Sequence, residues 1–597
     1  MTKITMDALP TWDLSDLYVG VDDPKLDEDL TAVKARAADF EKNYKGTIAT
    51  EGLTAEHLRA VLDEYEALSR AEYKPLEFAS LLFTTDTQDP KRGALLQKTR
   101  EVGSAIATHL VFFELEIGKI PQDTYDALIE GEALAPYRHY LDYQRALATH
   151  HLSEPEEKVL MKTVNVRGHA FVRLFTEINA RNKFRLERDG KVQELTQSEI
   201  LALLYDPDRE VRKAAATSFT EVLQGNAHVC TFIYNTLLHE KDVLDRLRGY
   251  DTPEAARHLN NELTEEIINT MSDVCVANYD IVANYYHLKR RLLGLDELTH
   301  YDRYAPITSD RTKISFDEAK TMVLDAFAGF SPYLAEITEP FFSKRWIDAA
   351  PAEGKQGGAY CTGITPDLHP YVFMNYTGNP RDVMTLAHEL GHGIHDVLAS
   401  KNHLLDYHPV FPMAETASTF GEMLVFDKLQ ESLSASQEKL ALLCNKIEDV
   451  LATVFRQIAI YRFEQRVHRA RREQGELPTE VFNELWQTTM QEMFTDALVL
   501  GDTHAWWWLY ISHIIQYPFY VYAYVFGELL VLALYMRYKR EGEAFVNKYF
   551  DLLAAAGSKS PAELVGAMGF DIANPAFWQD GCALIRELVA QAEALAD

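Results

Sequence analysis

His388 and His392 stand four residues apart with Glu389 beside the first, and a helix is the backbone that turns both imidazoles to one side. Glu389 then lies about 100° round the helix, near enough to serve as a proton acceptor for water held at the same point. Two neutral nitrogen ligands, a nearby carboxylate and a coordination position left open make a zinc-binding pattern. The flanking sequence supports the helix. Asn379 is suited to its N-cap, Pro380 to its first position and Asp382 to its first turn. Val383, Met384, Leu386, Ala387, Leu390, Ile394 and Val397 provide apolar residues for burying it.

The rest of the chain reads mainly as amphipathic helix, as in Glu56 to Ser69, Glu265 to Leu293 and Ser436 to Arg472. Strand signals are few. Phe184 to Glu187 and Val192 to Leu195 flank Asp189-Gly190 as a short hairpin, and Tyr371 to Tyr376 forms a second strand region just before the metal helix. Hydrophobic residues make up 47% of the 597, enough for a large core, and no linker-like or repeated stretch marks a domain break. A net charge of −31 argues against nucleic acid, which needs clustered Lys and Arg. Cys230, Cys275, Cys361, Cys444 and Cys582 have no disulfide-framework spacing, and Met1 to Leu30 has no apolar leader pattern, so a cytoplasmic location is expected. Ala505 to Met536 is long and apolar enough to raise a membrane span. His513, Gln516, Pro518, Glu528 and six tyrosines inside it favour a buried helix facing a site instead.

Zinc needs a third protein ligand, and His395 and Glu415 are the candidates. Ligands at 388, 392 and 395 on one straight helix spread over roughly 10 Å, which makes His395 a supporting or core residue. Glu415 lies in Ala414 to Glu422, read as a second helix that folds back after a loop containing His403, Tyr407, His408, Pro409 and Pro412. Glu422, two turns on, is placed to orient a ligating imidazole. Leu398 occupies the position where an astacin-like site would have its third histidine.

At these residues the chain resembles the oligoendopeptidase F branch of the thimet-oligopeptidase family of zinc metallopeptidases. The likeness extends to Trp12-Asp13-Leu14-Ser15-Asp16-Leu17-Tyr18, Tyr301-Asp302-Arg303-Tyr304-Ala305-Pro306, Arg345-Trp346-Ile347-Asp348 and Gly357-Gly358-Ala359-Tyr360-Cys361, in the family's order. It implies a mainly α fold: a large two-lobed helical body enclosing a deep substrate channel, with a small sheet next to the zinc-binding helix. Residues 1–200 would form an N-terminal helical lobe and 201–597 the catalytic domain. The resemblance also implies that Glu415 completes a site for one zinc ion per chain, with His395 and Glu422 supporting it. Transition-state roles carry over to His513, Tyr517 and Tyr524, the last two expected on one helix face. Ile514-Ile515-Gln516 stands where the family has a glycine, and Tyr520 or Tyr522 is an alternative partner.

The expected reaction is hydrolysis of internal bonds of short peptides, with Glu389 as general base and Glu389 returning the proton to the departing amine. Tyr371 and Phe373 would offer a strand edge to the substrate, and Gly357 and Gly358 a flexible loop that it can approach closely. Neither nucleic acid nor a membrane is expected as a partner, and oligomeric state is not encoded in anything visible. The rival readings are an aminopeptidase, for which the chain lacks a Gly-x-Met-Glu-Asn-type run, a non-catalytic peptide-binding scaffold, and a membrane-embedded zinc protease.

Overall fold

A computed structural model describes residues 9–188, 190–307 and 313–596. Helices dominate, and the strands among the described residues form one two-stranded and one three-stranded sheet. The mainly α class is what the sequence periodicity predicts. The chain divides into two compact units, each gathered from three segments. One comprises Met1–Lys158, Arg311–Leu429 and Arg537–Phe570; the other comprises Val159–Asp310, Gln430–Met536 and Asp571–Asp597. Residue 200 lies inside the second unit.

In the first unit, helices Pro24–Tyr44, Ala55–Thr85 and Pro90–Ile117 pack around Phe40, Leu62, Phe112 and Phe113. A second core cluster joins Trp12, Leu14, Leu17 and Tyr18 to Tyr371 and Phe373. The N-terminal motif therefore caps a small sheet: the Trp12 ring sits 5.7 Å from the Phe373 ring, and the Trp12 backbone N–H donates to Asp348. That sheet is built from β3 (Ile347–Asp348), β4 (Tyr360–Thr362) and β5 (Tyr371–Phe373), in the order β3-β5-β4. β5 is its central strand, parallel to β3 and antiparallel to β4. The buried Lys355 ammonium ties the sheet together by donating to Asp348 and to the Met374 and Ala350 carbonyls.

β5 leads into the metal helix, Pro380–Ala399. Its start is fixed as the residues suggest: Asp382 accepts from the backbone N–H of Thr377 at 2.7 Å and of Asn379 at 3.1 Å. Pro380 occupies the first turn, where a missing N–H costs nothing.

The second unit is organised on the long helix Arg209–Arg248. Asp302, fully buried in the Tyr301–Pro306 motif, takes charge-assisted bonds from Arg209 and Arg212 and another from Thr299. The hairpin is present as β1 (Phe184–Arg188) and β2 (Lys191–Leu195), paired Phe184↔Leu195 through Arg188↔Lys191; Asp189, expected in its turn, lies outside the described residues. Two expected helices are interrupted. Glu265–Leu293 breaks at Asn278, whose side chain donates to the Val274 carbonyl and competes with the helix ladder. Ser436–Arg472 runs on but widens to a π-helix over Ala452–Arg456. Among the described residues no helix is long and apolar enough to cross a membrane. The apolar stretch near residue 505 is divided into Asp502–Tyr510, Ser512–Gln516 and Tyr522–Glu541.

Candidate metal centre

The metal helix presents His388 and His392 with their Nε2 atoms 3.2 Å apart. Glu415 Oε2 lies 3.2 Å from the first and 3.4 Å from the second. Donors ~2.1 Å from one tetrahedral ion stand ~3.4 Å apart, so these separations suit a single zinc-sized cation. Among the described residues, His388, His392 and Glu415 are the group of histidine, cysteine and carboxylate atoms close enough to hold one.

Side chains behind the donors set their orientation. Glu422 Oε1 sits 2.6 Å from His388 Nδ1, which holds a ring proton there and turns Nε2 toward His392 and Glu415. His392 bonds to the Ala414 backbone. Ser418 donates to Glu415 Oε2 at 2.7 Å, an orienting contact that sequence inspection missed although Ser418 falls one helical turn after Glu415. Glu415 is not inside a helix as expected. It forms the junction between Phe411–Ala414 and Thr416–Ser432, which lets its carboxylate point across to the metal helix.

Close approach of those two helices depends on glycine. A Cβ at Gly391 would fall 2.5 Å from the Ala417 carbonyl oxygen, and one at Gly421 would fall 3.1 Å from the Ala387 carbonyl oxygen. The glycine within the His-Glu-Leu-Gly-His run was the available signal for this contact.

The electrostatics favour positive charge at the centre of the cluster. Burial opposes charge on His388, but Glu415 and Glu422 raise its pKa well above the ordinary histidine value. Glu415 resists burial and is drawn down to about 2 by His388, His392 and Ser418. Burial takes His392 down to about 4. Glu389 is buried beside these groups, and burial, helped by Glu415 and Glu422, pushes its carboxyl up to about 7. His395 lies outside the convergent group; it is buried and bonds to the Leu553 backbone.

The remaining sequence-derived candidates fall in two places. Gly357 and Gly358 lie in the loop before β4, Gly358 at φ 90°, with open space where side chains would be. The expectation that Tyr371 and Phe373 form a substrate-binding strand edge is corrected. Both are fully buried, and β5 has neighbours on each side, so its backbone groups are already used in the ladder. The outer strand next to the glycines is β4.

His513, Tyr517 and Tyr524 lie in the second unit. Tyr524 Oη is 3.4 Å from His513 Nε2, and Tyr517 is 56% exposed. Tyr517 and Tyr524 do not share a helix face, because the helix stops at Gln516 and resumes at Tyr522. Pro518 causes the break: it disfavours helical backbone in the residue before it, and Tyr517 adopts φ −139°, ψ 78°. Tyr520 joins the aromatic group, its ring 5.1 Å from Tyr524 and parallel to His513 at 6.3 Å. Tyr522 instead turns inward, where Asn261 donates to its hydroxyl at 2.8 Å.

A helical body carrying two histidines four apart, a returning glutamate and a neighbouring buried carboxylate defines a metallopeptidase-type site. Comparison with known proteins agrees. The model of peptidase family M3 matches residues 202–584, and an oligopeptidase F model matches residues 116–184. Oligopeptidase PepF of Bacillus subtilis (strain 168) is 27% identical over 98% of this chain and 87% of its own length. The oligoendopeptidase F homolog of Lactococcus lactis subsp. lactis (strain IL1403) is 25% identical over 98% of this chain and 97% of its own. The crystal structure of oligoendopeptidase-F from Enterococcus faecium shares the fold, with a TM-score of 0.73 at 21% identity over 96% of this chain and 98% of that one. The chain belongs to peptidase family M3, in its oligoendopeptidase F branch, and is a metallo-endopeptidase.

Proposed function

We propose that the protein hydrolyses internal bonds of short oligopeptides in the cytoplasm, using one zinc ion per chain and Glu389 as general base. The observation that carries this reading is the convergence of His388, His392 and Glu415, at 3.2–3.4 Å from one another, beside a buried carboxylate. Those three residues would hold the ion. When bound, it supplies Lewis-acid polarisation of a peptide carbonyl and acidification of water.

The chain's own residues supply the remainder. Glu422 and Ser418 hold His388 and Glu415 in a donor-ready orientation. Glu389 accepts a proton from the attacking water and returns it to the departing amine. His513, Tyr517 and Tyr524 hydrogen-bond to the developing oxyanion, with Tyr520 as a fourth member of their group. An extended substrate lies along the outer strand β4, and Gly357 and Gly358 leave room for its backbone. Requiring an extended main chain favours short flexible peptides over folded proteins.

Glu389→Gln tests the base assignment. It should retain zinc at the wild-type level by elemental analysis and lose turnover by a factor on the order of 10² to 10⁴. A clean preparation with bound zinc and near-normal turnover would overturn it. Comparing N-acetylated with free peptides separates this reading from an aminopeptidase, because blocked peptides should still be cut.

A further inference from the structure

The helix Gln457–Gln474 turns Tyr461, Glu464 and His468 toward a single residue of another segment, Phe519. The Phe519 N–H donates to Glu464 Oε1 at 2.9 Å, and the ring packs 4.6 Å from His468 and 6.0 Å from Tyr461. Phe519 is wholly buried and sits at φ 57°, a left-handed backbone that a bulky residue adopts only under outside restraint. Glu464 is also fully buried, and its second oxygen, Oε2, has no hydrogen-bond partner among the described residues. A carboxyl in that setting is costly to keep, and among the described residues its hydrogen bond is to this turn.

The same turn is held from the opposite side. Arg257 Nε donates to the Pro518 carbonyl at 3.2 Å, with its guanidinium 6.0 Å from the Tyr520 ring. Asn261 and His258 hold the Tyr522 hydroxyl at 2.8 and 3.2 Å. Residues 517–522 are therefore fastened at Pro518, Phe519 and Tyr522, while Tyr517 projects outward and Tyr520 stacks among His513 and Tyr524. The fastened positions lie between and beside the aromatic side chains to which the transition-state role is assigned under the proposed function.

We propose that Glu464 is a positioning residue for peptide hydrolysis: by holding the Phe519 N–H it fixes the turn that aims Tyr517 and Tyr520 alongside His513 and Tyr524. Arg257 supports the turn from the other side through Pro518. This rests on the reading that the His513–Tyr524 group acts on the transition state. Misplacing such donors by about 1 Å is enough to forfeit much of their effect. Burial also drives the Glu464 carboxyl up to about 8, against the pull of the Phe519 N–H.

Glu464→Leu removes the acceptor, and Glu464→Gln keeps it. The Leu variant should lower kcat ~10- to 100-fold with KM and zinc content little changed, while the Gln variant stays close to wild type. In a double-variant cycle, Glu464→Leu combined with Tyr520→Phe or Tyr524→Phe should cost less than the product of the separate losses, because both disable one arrangement. A residue that serves stability alone would lower the melting temperature and leave kcat per folded molecule unchanged, and that result overturns the proposal. So does strict multiplication of the effects. If the Leu variant does not fold, Arg257→Met gives the second test: it should lower kcat in the same direction, and an unaltered kcat overturns the proposal. His513→Ala, Tyr517→Phe, Tyr520→Phe and Tyr524→Phe in the otherwise unaltered enzyme separate the two failures. If none lowers kcat, the underlying reading falls and this inference with it; if they do and Glu464→Leu does not, only the positioning role falls.

Discussion

Single side chains behind the three candidate donors set what the cluster can hold. Glu422 touches His388 Nδ1 rather than the donor face, so its loss should loosen the ring without removing a ligand. Glu422→Ala is expected to weaken zinc binding ~10- to 100-fold in competition with a chelator, with the fold intact by circular dichroism. Unchanged affinity would show that the contact does not orient the ring. Ser418→Ala removes a contact of 2.7 Å to Glu415 and should weaken binding in the same direction by less, because Glu415 keeps both of its imidazole neighbours. Glu422 was singled out by its seven-residue separation from Glu415, although Glu415 itself stands at the junction before that helix. Ser418 was not, because a serine one turn from a carboxylate occurs on many helices and gains meaning only once the carboxylate has a job.

At the scale of elements, the metal helix and Thr416–Ser432 meet through glycines, and the contact cannot absorb an extra methyl. Gly391→Ala puts a carbon 2.5 Å from both Ala417 O and Ser418 Cα, which are backbone atoms. Overpacking of this kind costs about 1–3 kcal/mol, and here it also pushes Glu415 away from His388 and His392. The variant should melt earlier and bind zinc more weakly; a normal melting temperature with normal zinc content would contradict the packing account. The helix Gln457–Gln474 offers a pH test. Glu464 is raised from its ordinary 4.5 to about 8 by burial, with Glu254 acting in the same sense and the Phe519 N–H and Arg257 opposing; the buried phenols of Tyr234 and Tyr461 are nearby. The folded state then holds a proton that the unfolded state releases between those values. Stability from this group is fully present below about pH 4.5 and is lost as pH rises toward 8, at up to roughly 1.4 kcal/mol per pH unit. Denaturant midpoints across that window should fall more steeply for wild type than for Glu464→Gln. Parallel curves would show that Glu464 does not titrate in this way.

Across the whole molecule, what was readable and what was not follow one physical division. Patterns that repeat locally were readable: the apolar periodicity of the helices, the paired strands Phe184–Arg188 and Lys191–Leu195, the helix start at Asn379 and the four-residue spacing of His388 and His392. Contacts set by distant segments were not. Tyr371 and Phe373 were expected to offer a strand edge to the substrate, yet Ile347–Asp348 on one side and Tyr360–Thr362 on the other make their strand central. Tyr517 and Tyr524 have helical spacing, but Pro518 and the Glu464–Phe519 bond replace the helix with a turn. Each compact unit is gathered from three separated stretches, a pairing that no local window contains. The ordered motifs nonetheless converge on a single chemistry. The most direct test of it is mass spectrometry of the products from a mixed library of peptides ~5–20 residues long, a range suited to an extended substrate laid along one strand. The metal-stripped protein should release nothing, and adding one equivalent of zinc should restore cleavage at internal bonds, in N-acetylated peptides as well as free ones. Cleavage that persists in the stripped protein, or zinc-loaded protein that trims only free amino termini, would contradict the account.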